Sequence, residues 1–488
     1  MNLTFIEEPE LEFGTHRHID IRFGIMNYGT KDFDSPVAPK KIELGLIGNG
    51  ESLEGVQSWF EKCRNAIPGK SRRDDPSSPS KQPNLFPRFP GFGPDTAFRS
   101  CLTVTDSLCR SISNAEIAHI RQLPNRNDRI SRAVDLFIDE VGFLSQETNA
   151  RVIVCALPNE LLQSMGQEEL DDDIEEDEDL ATELKLDFHD LLKARAMQQY
   201  RKPIQLIRPP TWGGKEHRQT RLSRKREVQD EATRAWNIHT ALYYKAGGVP
   251  WRLPRESTDL TVCYVGVSFY KSIDGRALLT SIAQVFNERG EGVVVRGGTA
   301  AVSKEDLQPH LPEAHAYELL KSALERYRSV HMTLPARVVI HKSSRFNSDE
   351  KAGFEAALQD HRVATSDFLW ITSSHTKLYR AGKYPPLRGT LLTLDEHEMV
   401  LYTRGSVDFF ETYPGMYIPV PLRIYTDKNE QTQRFLAREI LALSKMNWNK
   451  TQFDGAEPVT LEASRKCSNV LRYCSEGRQI EPRYSFYM

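Results

Sequence analysis

The sequence contains no apolar run long enough to span a bilayer, and no charged-then-apolar leader at its start. That argues against a membrane-spanning helix and sets a cytoplasmic expectation. None of the 7 cysteines forms a Cys-x-x-Cys pair or stands beside a histidine at metal-ligand spacing. Structural zinc and a disulfide framework are therefore not expected. There is no Gly-x-Gly-x-x-Gly loop and no Walker-type loop, which counts against an enzyme that cradles a nucleotide on a glycine turn. No internal repeat is evident.

What is present is a chain of 488 residues, enough for two to four domains with sizeable cores. Its net charge of −3 is an average of unlike parts. Ten carboxylates crowd into Glu168–Asp179, and the rest of the chain carries +7. A mildly basic body suits a polyanionic partner. The acidic run reads first as a solvated loop. A sharper reading is that it repels nucleic acid while the binding site is empty. Residues 67–95, rich in Pro, Ser, Gly and Arg, read as a long exposed insertion.

The first forty residues read as extended segments and turns. A strand from Lys41 leads into a helix through Val56–Cys63. A helical period marks Ile130–Leu144 (Ala133, Leu136, Phe137, Val141). Arg151-Val-Ile-Val-Cys-Ala-Leu-Pro follows as a buried strand, then a helix over Leu184–Tyr200 and a strand over Pro203–Ile207. Strand, helix and strand on short links make a parallel crossover unit. A further helix, Val228–Ala246, stops at Gly247-Gly248. A second α/β region opens near Asp259. Its strand candidates are Thr261–Tyr270, Gly292–Arg296, Arg337–Lys342 and Phe368–Thr372. Its helix candidates are Glu313–Val330, Ser348–Asp360, Gln431–Ser444 and Leu461–Tyr473.

Four polar residues stand out. His189 and Lys193 lie four apart on one helical face. Gln205 falls in the next strand, and Lys245 in the last turn of the next helix. A phosphate needs converging cations and amide donors, and lysine is a suitable point charge. Each residue alone has an ordinary reading: a histidine satisfied on a helix, or a lysine favoured by the helix dipole. The stretch Lys215–Arg226 holds six Lys/Arg, with Arg218, Arg221 and Arg224 three apart. It reads as a solvated helix face or as contacts to a phosphate backbone.

This pattern resembles the MID domain of Argonaute proteins. That domain's guide-binding motif has an aromatic or His, a Lys four later, a Gln twelve after that, and a Lys before a Gly-Gly turn. These positions match His189, Lys193, Gln205 and Lys245. A further lysine of many members falls on Ala241 here, a departure. The resemblance implies that a Mg2+ ion supplies the missing charge, held by the C-terminal carboxylate of Met488 and by Gln205. The aromatic tail Arg483-Tyr-Ser-Phe-Tyr-Met is fit to be buried beside such a pocket.

The C-terminal half resembles a PIWI domain, an RNase H-like fold. Active members use a carboxylate-rich tetrad to bind two metal ions. Here the tetrad positions fall on Ser268, Ser343 and Arg465, the last within a residue or two. Serine does not replace a bridging carboxylate, so the resemblance implies a degenerate, inactive site. Glu462 and Asp454 lie nearby but read as surface charges.

The expected architecture is α/β: a Rossmann-like MID domain plus an RNase H-like PIWI domain, with no room for N or PAZ domains. The expected limits are an extended segment over 1–40 packing on PIWI, MID over 41–255 and PIWI over 256–488. The resemblance then implies a short prokaryotic Argonaute. Such a protein binds a 5′-phosphorylated short guide, expected to be RNA, and pairs it with complementary plasmid or phage DNA. It acts as a heterodimer with an APAZ-containing effector of TIR, sirtuin-like or nuclease type, with higher oligomers on target binding, in plasmid and antiviral defence by abortive infection. The rival readings are a catalytically active guided endonuclease and an α/β enzyme acting on a phosphorylated metabolite.

Overall fold

The computed structural model describes residues 1–71, 80–166, 186–213, 228–255, 260–273, 275–286, 292–379, 381, 385–415, 418–452, 455–475 and 480–488, with side chains outside 281–286. The acidic run Glu168–Asp179, the arginines Arg218, Arg221 and Arg224, and Asp454 lie outside the described residues.

Two sheets organise the chain. The first is all parallel, in the order Cys101–Thr103, Lys41–Gly48, Val152–Ala156, Ile204–Ile207, with Cys109–Ser111 also paired to Lys41–Gly48. Val152–Ala156 is buried along its whole length, as a parallel strand covered on both faces must be. Helix Arg126–Glu147 packs against helix Phe188–Tyr200 beside this sheet. Asp187 caps Phe188–Tyr200, its carboxylate accepting from the Asp190 N–H at 2.9 Å. Helix Glu231–Lys245 ends where Gly247 turns left-handed, at φ +93°. A Cβ on Gly248 would lie 2.2 Å from the Tyr243 ring, so the stop is tight and fixes Lys245 just before it.

The second sheet has 11 strands. Thr299–Val302, Leu278–Phe286 and Val262–Lys271 run antiparallel to one another. Val262–Lys271, Arg337–Lys342 and Thr365–Ser373 follow, mutually parallel. This order and polarity is that of an RNase H-like sheet. Leu422–Lys428, Glu398–Leu401, Thr390–Thr393 and Asn2–Phe5 extend it, all antiparallel. Helix Glu313–His331 packs on helix Ser348–Asp360, and helix Val459–Leu471 crosses strand Val262–Lys271. The crossing is close, because a Cβ on Gly266 would sit 2.1 Å from the Thr460 carbonyl oxygen.

The structure departs from the sequence expectation in three places. The first forty residues hold a helix, Ile21–Tyr28, capped by Asp20 and ended at Gly29 (φ +76°). Its eight residues are too few for a clear period. Residues 67–95 are not a wholly exposed insertion. Ile67, Phe89 and Phe92 are buried, and the Trp236 indole donates to the Arg88 carbonyl at 3.0 Å. Burying two phenylalanines is worth about 3–6 kcal/mol as an upper bound, more than a loosely attached loop would forgo. Third, the strands Leu278–Phe286, Thr390–Thr393, Glu398–Leu401 and Leu422–Lys428 were not expected, and they widen the sheet well beyond its parallel centre.

Two buried histidines give this fold an acid sensitivity. His239 sits among Trp59, Phe60, Phe89 and Phe92, and burial pushes its imidazole down to about 4. His341, bonded to the Thr460 hydroxyl at 2.8 Å, is pushed down to about 3 by burial and then by the Arg337 charge. Both folded values lie below the unfolded value near 6.5. The unfolded chain therefore takes up protons first as pH falls. Stability is full above about 6.5 and declines below it, by roughly 3 kcal/mol from His239 alone once pH reaches its folded value. Urea midpoints measured from pH 7.5 downward are expected to fall, and a His239→Leu variant to fall less steeply.

Candidate nucleic-acid phosphate pocket and the degenerate tetrad

Lys245 and Gln205 meet directly. The Lys245 ammonium donates to Gln205 Oε1 at 2.7 Å and to the Ile204 carbonyl at 2.9 Å, and the lysine is only 5 % exposed. Gln205 Nε2 donates to the Leu206 carbonyl at 3.0 Å, so the amide is oriented from both ends. Lys193, 3 % exposed, donates to the Tyr487 carbonyl at 3.1 Å. That bond draws the last residues of the chain into the same region. Tyr484, Phe486, Tyr487 and Met488 are all buried, and the turn Tyr484–Phe486 packs against helix Glu231–Lys245, which carries Lys245. Lys245 thus meets Gln205 on the strand Ile204–Ile207, while Lys193 and the helix that carries Lys245 each contact the C-terminal residues. Ala241, one turn before Lys245, is buried and adds no charge.

His189 is engaged elsewhere. Its Nδ1 lies 3.0 Å from Asp190 Oδ1, and its side chain is about a third exposed. Burial alone would raise the Asp190 carboxyl, but the His189 hydrogen bond and charge, with Lys193 and Arg472, bring it below the usual range. Asp187 is pushed up, by burial and by the neighbouring Asp190 charge. Its backbone N–H donates to the Tyr473 hydroxyl at 2.9 Å. Among the described residues, Asp187, His189 and Asp190 form a trio whose ligand atoms lie within 4.8 Å of one another. Sequence reasoning missed both aspartates as neighbours of the pocket. The signal was available in Asp-Phe-His-Asp, where an N-cap aspartate precedes the helix by one residue. The Tyr487 contact had no local signal.

The three residues read as tetrad positions fall on neighbouring elements in or against the second sheet. Ser268, 2 % exposed, lies in strand Val262–Lys271. Ser343 follows the adjacent parallel strand, its N–H donating to the Val267 carbonyl at 3.2 Å. Arg465 lies on the helix that crosses these strands, its guanidinium paired with Glu457. Glu462 is held by Asn447 at 2.6 Å and Lys466 at 3.5 Å. The buried carboxylate nearest in sequence to Ser343, Glu350, is committed to Lys342 at 3.0 Å and to His310 at 3.2 Å.

A parallel α/β sheet followed by an RNase H-like sheet is the layout of a MID–PIWI architecture. Comparison with solved structures agrees: the chain has an Argonaute-type fold. The Clostridium butyricum Argonaute, solved with a guide DNA and a 19-mer target DNA, matches with a TM-score of 0.62 at 13 % identity, covering 100 % of this chain and 55 % of that one. Drosophila Piwi matches with a TM-score of 0.56 at 14 % identity, covering 99 % and 56 %. The A. aeolicus Argonaute matches at 0.54 and 14 %, covering 99 % and 54 %. The chain therefore spans about half the length of the solved structures it matches. No family model and no curated protein matches the sequence. No helix among the described residues is long and apolar enough to cross a membrane.

Proposed function

We propose that this chain is a guide-dependent nucleic-acid sensor. It anchors the 5′-phosphate of a short guide, read as RNA, and presents the guide for pairing with complementary invader DNA. The observation that carries this reading is two buried lysines in an Argonaute-type fold, Lys245 bonded to Gln205 and Lys193 bonded to Tyr487 near the C-terminal end. Buried ammonium groups are costly unless an anion or strong acceptors meet them. Here they donate to carbonyl and amide oxygens, and a bound phosphate would add the counter-charge. Anchoring one end lowers the entropy cost of pairing, and base pairing then supplies the sequence reading.

A Mg2+ ion beside the phosphate is part of this reading. Gln205 Oε1 and the Met488 carboxylate are hard oxygen donors of the kind this ion takes, and the tail is buried beside Lys193. When bound, the ion would neutralise phosphate charge that Ala241 cannot. His189 would serve as a hydrogen-bond neighbour of the phosphate, and Arg218, Arg221 and Arg224 as backbone contacts.

Recognition without cutting follows from the tetrad. Ser268, Ser343 and Arg465 bring no carboxylate, and two divalent ions need that negative charge to sit close together. Chemistry would then belong to a cytoplasmic partner, an APAZ-containing effector that answers target binding in defence against plasmids and phages. The purified chain, loaded with guide, complementary DNA and Mg2+ or Mn2+, is expected to retain the DNA and leave it intact. Metal-dependent cleavage at a fixed position opposite the guide would instead establish the guided endonuclease.

A further inference from the structure

On the sheet face opposite Gly266 and helix Val459–Leu471, two stacked rings each carry an arginine. Trp370 and Tyr425 lie directly across from each other on neighbouring strands. Their rings are parallel within 14°, with centroids 4.2 Å apart. The Arg345 guanidinium lies 5.2 Å from the Trp370 centroid, and that of Arg423 lies 5.3 Å from the Tyr425 centroid. The two arginines differ in their partners. Arg423 is paired with Glu398. Arg345 is exposed, and among the described residues it has no carboxylate partner.

Arg345 is also held unusually firmly for an exposed residue. Its backbone N–H donates to Gln308 Oε1 at 2.7 Å, and its carbonyl accepts from the buried Lys342 ammonium at 2.7 Å. The Ser344 hydroxyl, one residue before, donates to the Pro309 carbonyl at 2.8 Å. The backbone is pinned and the guanidinium carbon lies over an indole, which limits the side-chain freedom to be lost on binding. A guanidinium held over a ring by cation–π attraction keeps N–H donors for an acceptor. The position matters as well: Arg345 follows Ser343 by two residues, at the C-terminal ends of the parallel strands.

We propose that Arg345 is a phosphodiester-binding residue, preorganised by the Trp370–Tyr425 stack, that contacts the backbone of nucleic acid passing the C-terminal ends of the parallel strands beside Ser343. This rests on the guide-binding reading. The shared chemistry is a backbone phosphate, and its source is either the guide strand or the paired target. Trp370 and Tyr425 are positioning residues in this account, since they act through the guanidinium.

The test measures the salt dependence of affinity for Arg345→Gln beside the unaltered chain, with guide alone and with guide plus complementary DNA. Loss of one phosphate contact lowers the slope of log K against log salt by about 0.7–0.9. Over a fourfold change in salt, that is roughly a threefold difference in affinity. A lower slope with guide alone assigns the contact to the guide. A lower slope only after pairing assigns it to the target. An unchanged slope in both complexes overturns the proposal. Trp370→Leu is expected to reproduce part of the loss and Trp370→Phe to restore it, whereas an unchanged slope in Trp370→Leu would remove the positioning role. If the unaltered chain shows no preference for a 5′-phosphorylated guide, the parent reading fails instead, and the two failures are told apart.

Discussion

Replacing Lys245 with methionine is expected to weaken binding of a 5′-phosphorylated guide by about 10- to 100-fold while leaving a 5′-hydroxyl guide of the same sequence nearly unaffected. Hydrogen bonds to charged groups contribute about 1.5–3 kcal/mol, and each 1.4 kcal/mol is tenfold in affinity. Methionine keeps most of the volume of a side chain that is only 5 % exposed. It removes the ammonium that holds Gln205 Oε1 and the Ile204 carbonyl. Gln205 then loses the bond that aims its amide, so part of the effect passes through that residue. The ratio between the two guides is the informative readout, because any general loss of stability cancels in it. Lys193→Met should act in the same direction and also loosen the C-terminal residues, whose Tyr487 carbonyl it binds.

The largest stability effect is expected from Arg337→Met. Arg337 is 2 % exposed and donates to Asp367 at 2.6 Å and to both oxygens of Glu439 at 2.7 and 2.9 Å. Tyr264 adds a bond to Glu439 at 2.6 Å. Burial alone would weaken the guanidinium's hold on its proton, but Glu439 and then Asp367 more than offset this. Asp367 in turn accepts from the backbone of Glu430 and Gln431. One guanidinium thus ties two central strands to helix Gln433–Leu443. Removing it leaves two carboxylates without their cation, one of them fully buried, at a cost of about 3–5 kcal/mol. Chemical denaturation of the variant checks this, and a loss under 1 kcal/mol would contradict it. The cluster sits at the N-terminal ends of the parallel strands, away from Ser343. Guide preference should therefore survive in whatever fraction stays folded.

Much of the fold was legible because its central strands are runs of Val, Ile and Phe that only a covered parallel sheet explains. Arg337–Lys342 and Ser348–Asp360 have the limits their sequence patterns suggest. The edge strands were less legible. Leu422–Lys428 (LRIYTDK) alternates with polar residues, and its strand character depends on pairing with Thr365–Ser373, about fifty residues earlier. Asn2–Phe5 joins the sheet by pairing with Thr390–Thr393, a contact no local propensity encodes. At the site, the spacing of Lys193, Gln205 and Lys245 carried the reading. The two features that qualify it came from elsewhere. Asp190 captures His189 from the adjacent position, and Tyr487 reaches Lys193 across 294 residues of sequence.

The central claim is that the two buried lysines exist to hold a terminal phosphate. Competition binding of the unaltered chain, with guides that differ only in a 5′-phosphate or a 5′-hydroxyl, tests it most directly. The account predicts a preference for the phosphate of at least about tenfold, lost in Lys193→Met and Lys245→Met. Equal affinity for the two guides, with binding governed by salt alone, would contradict it.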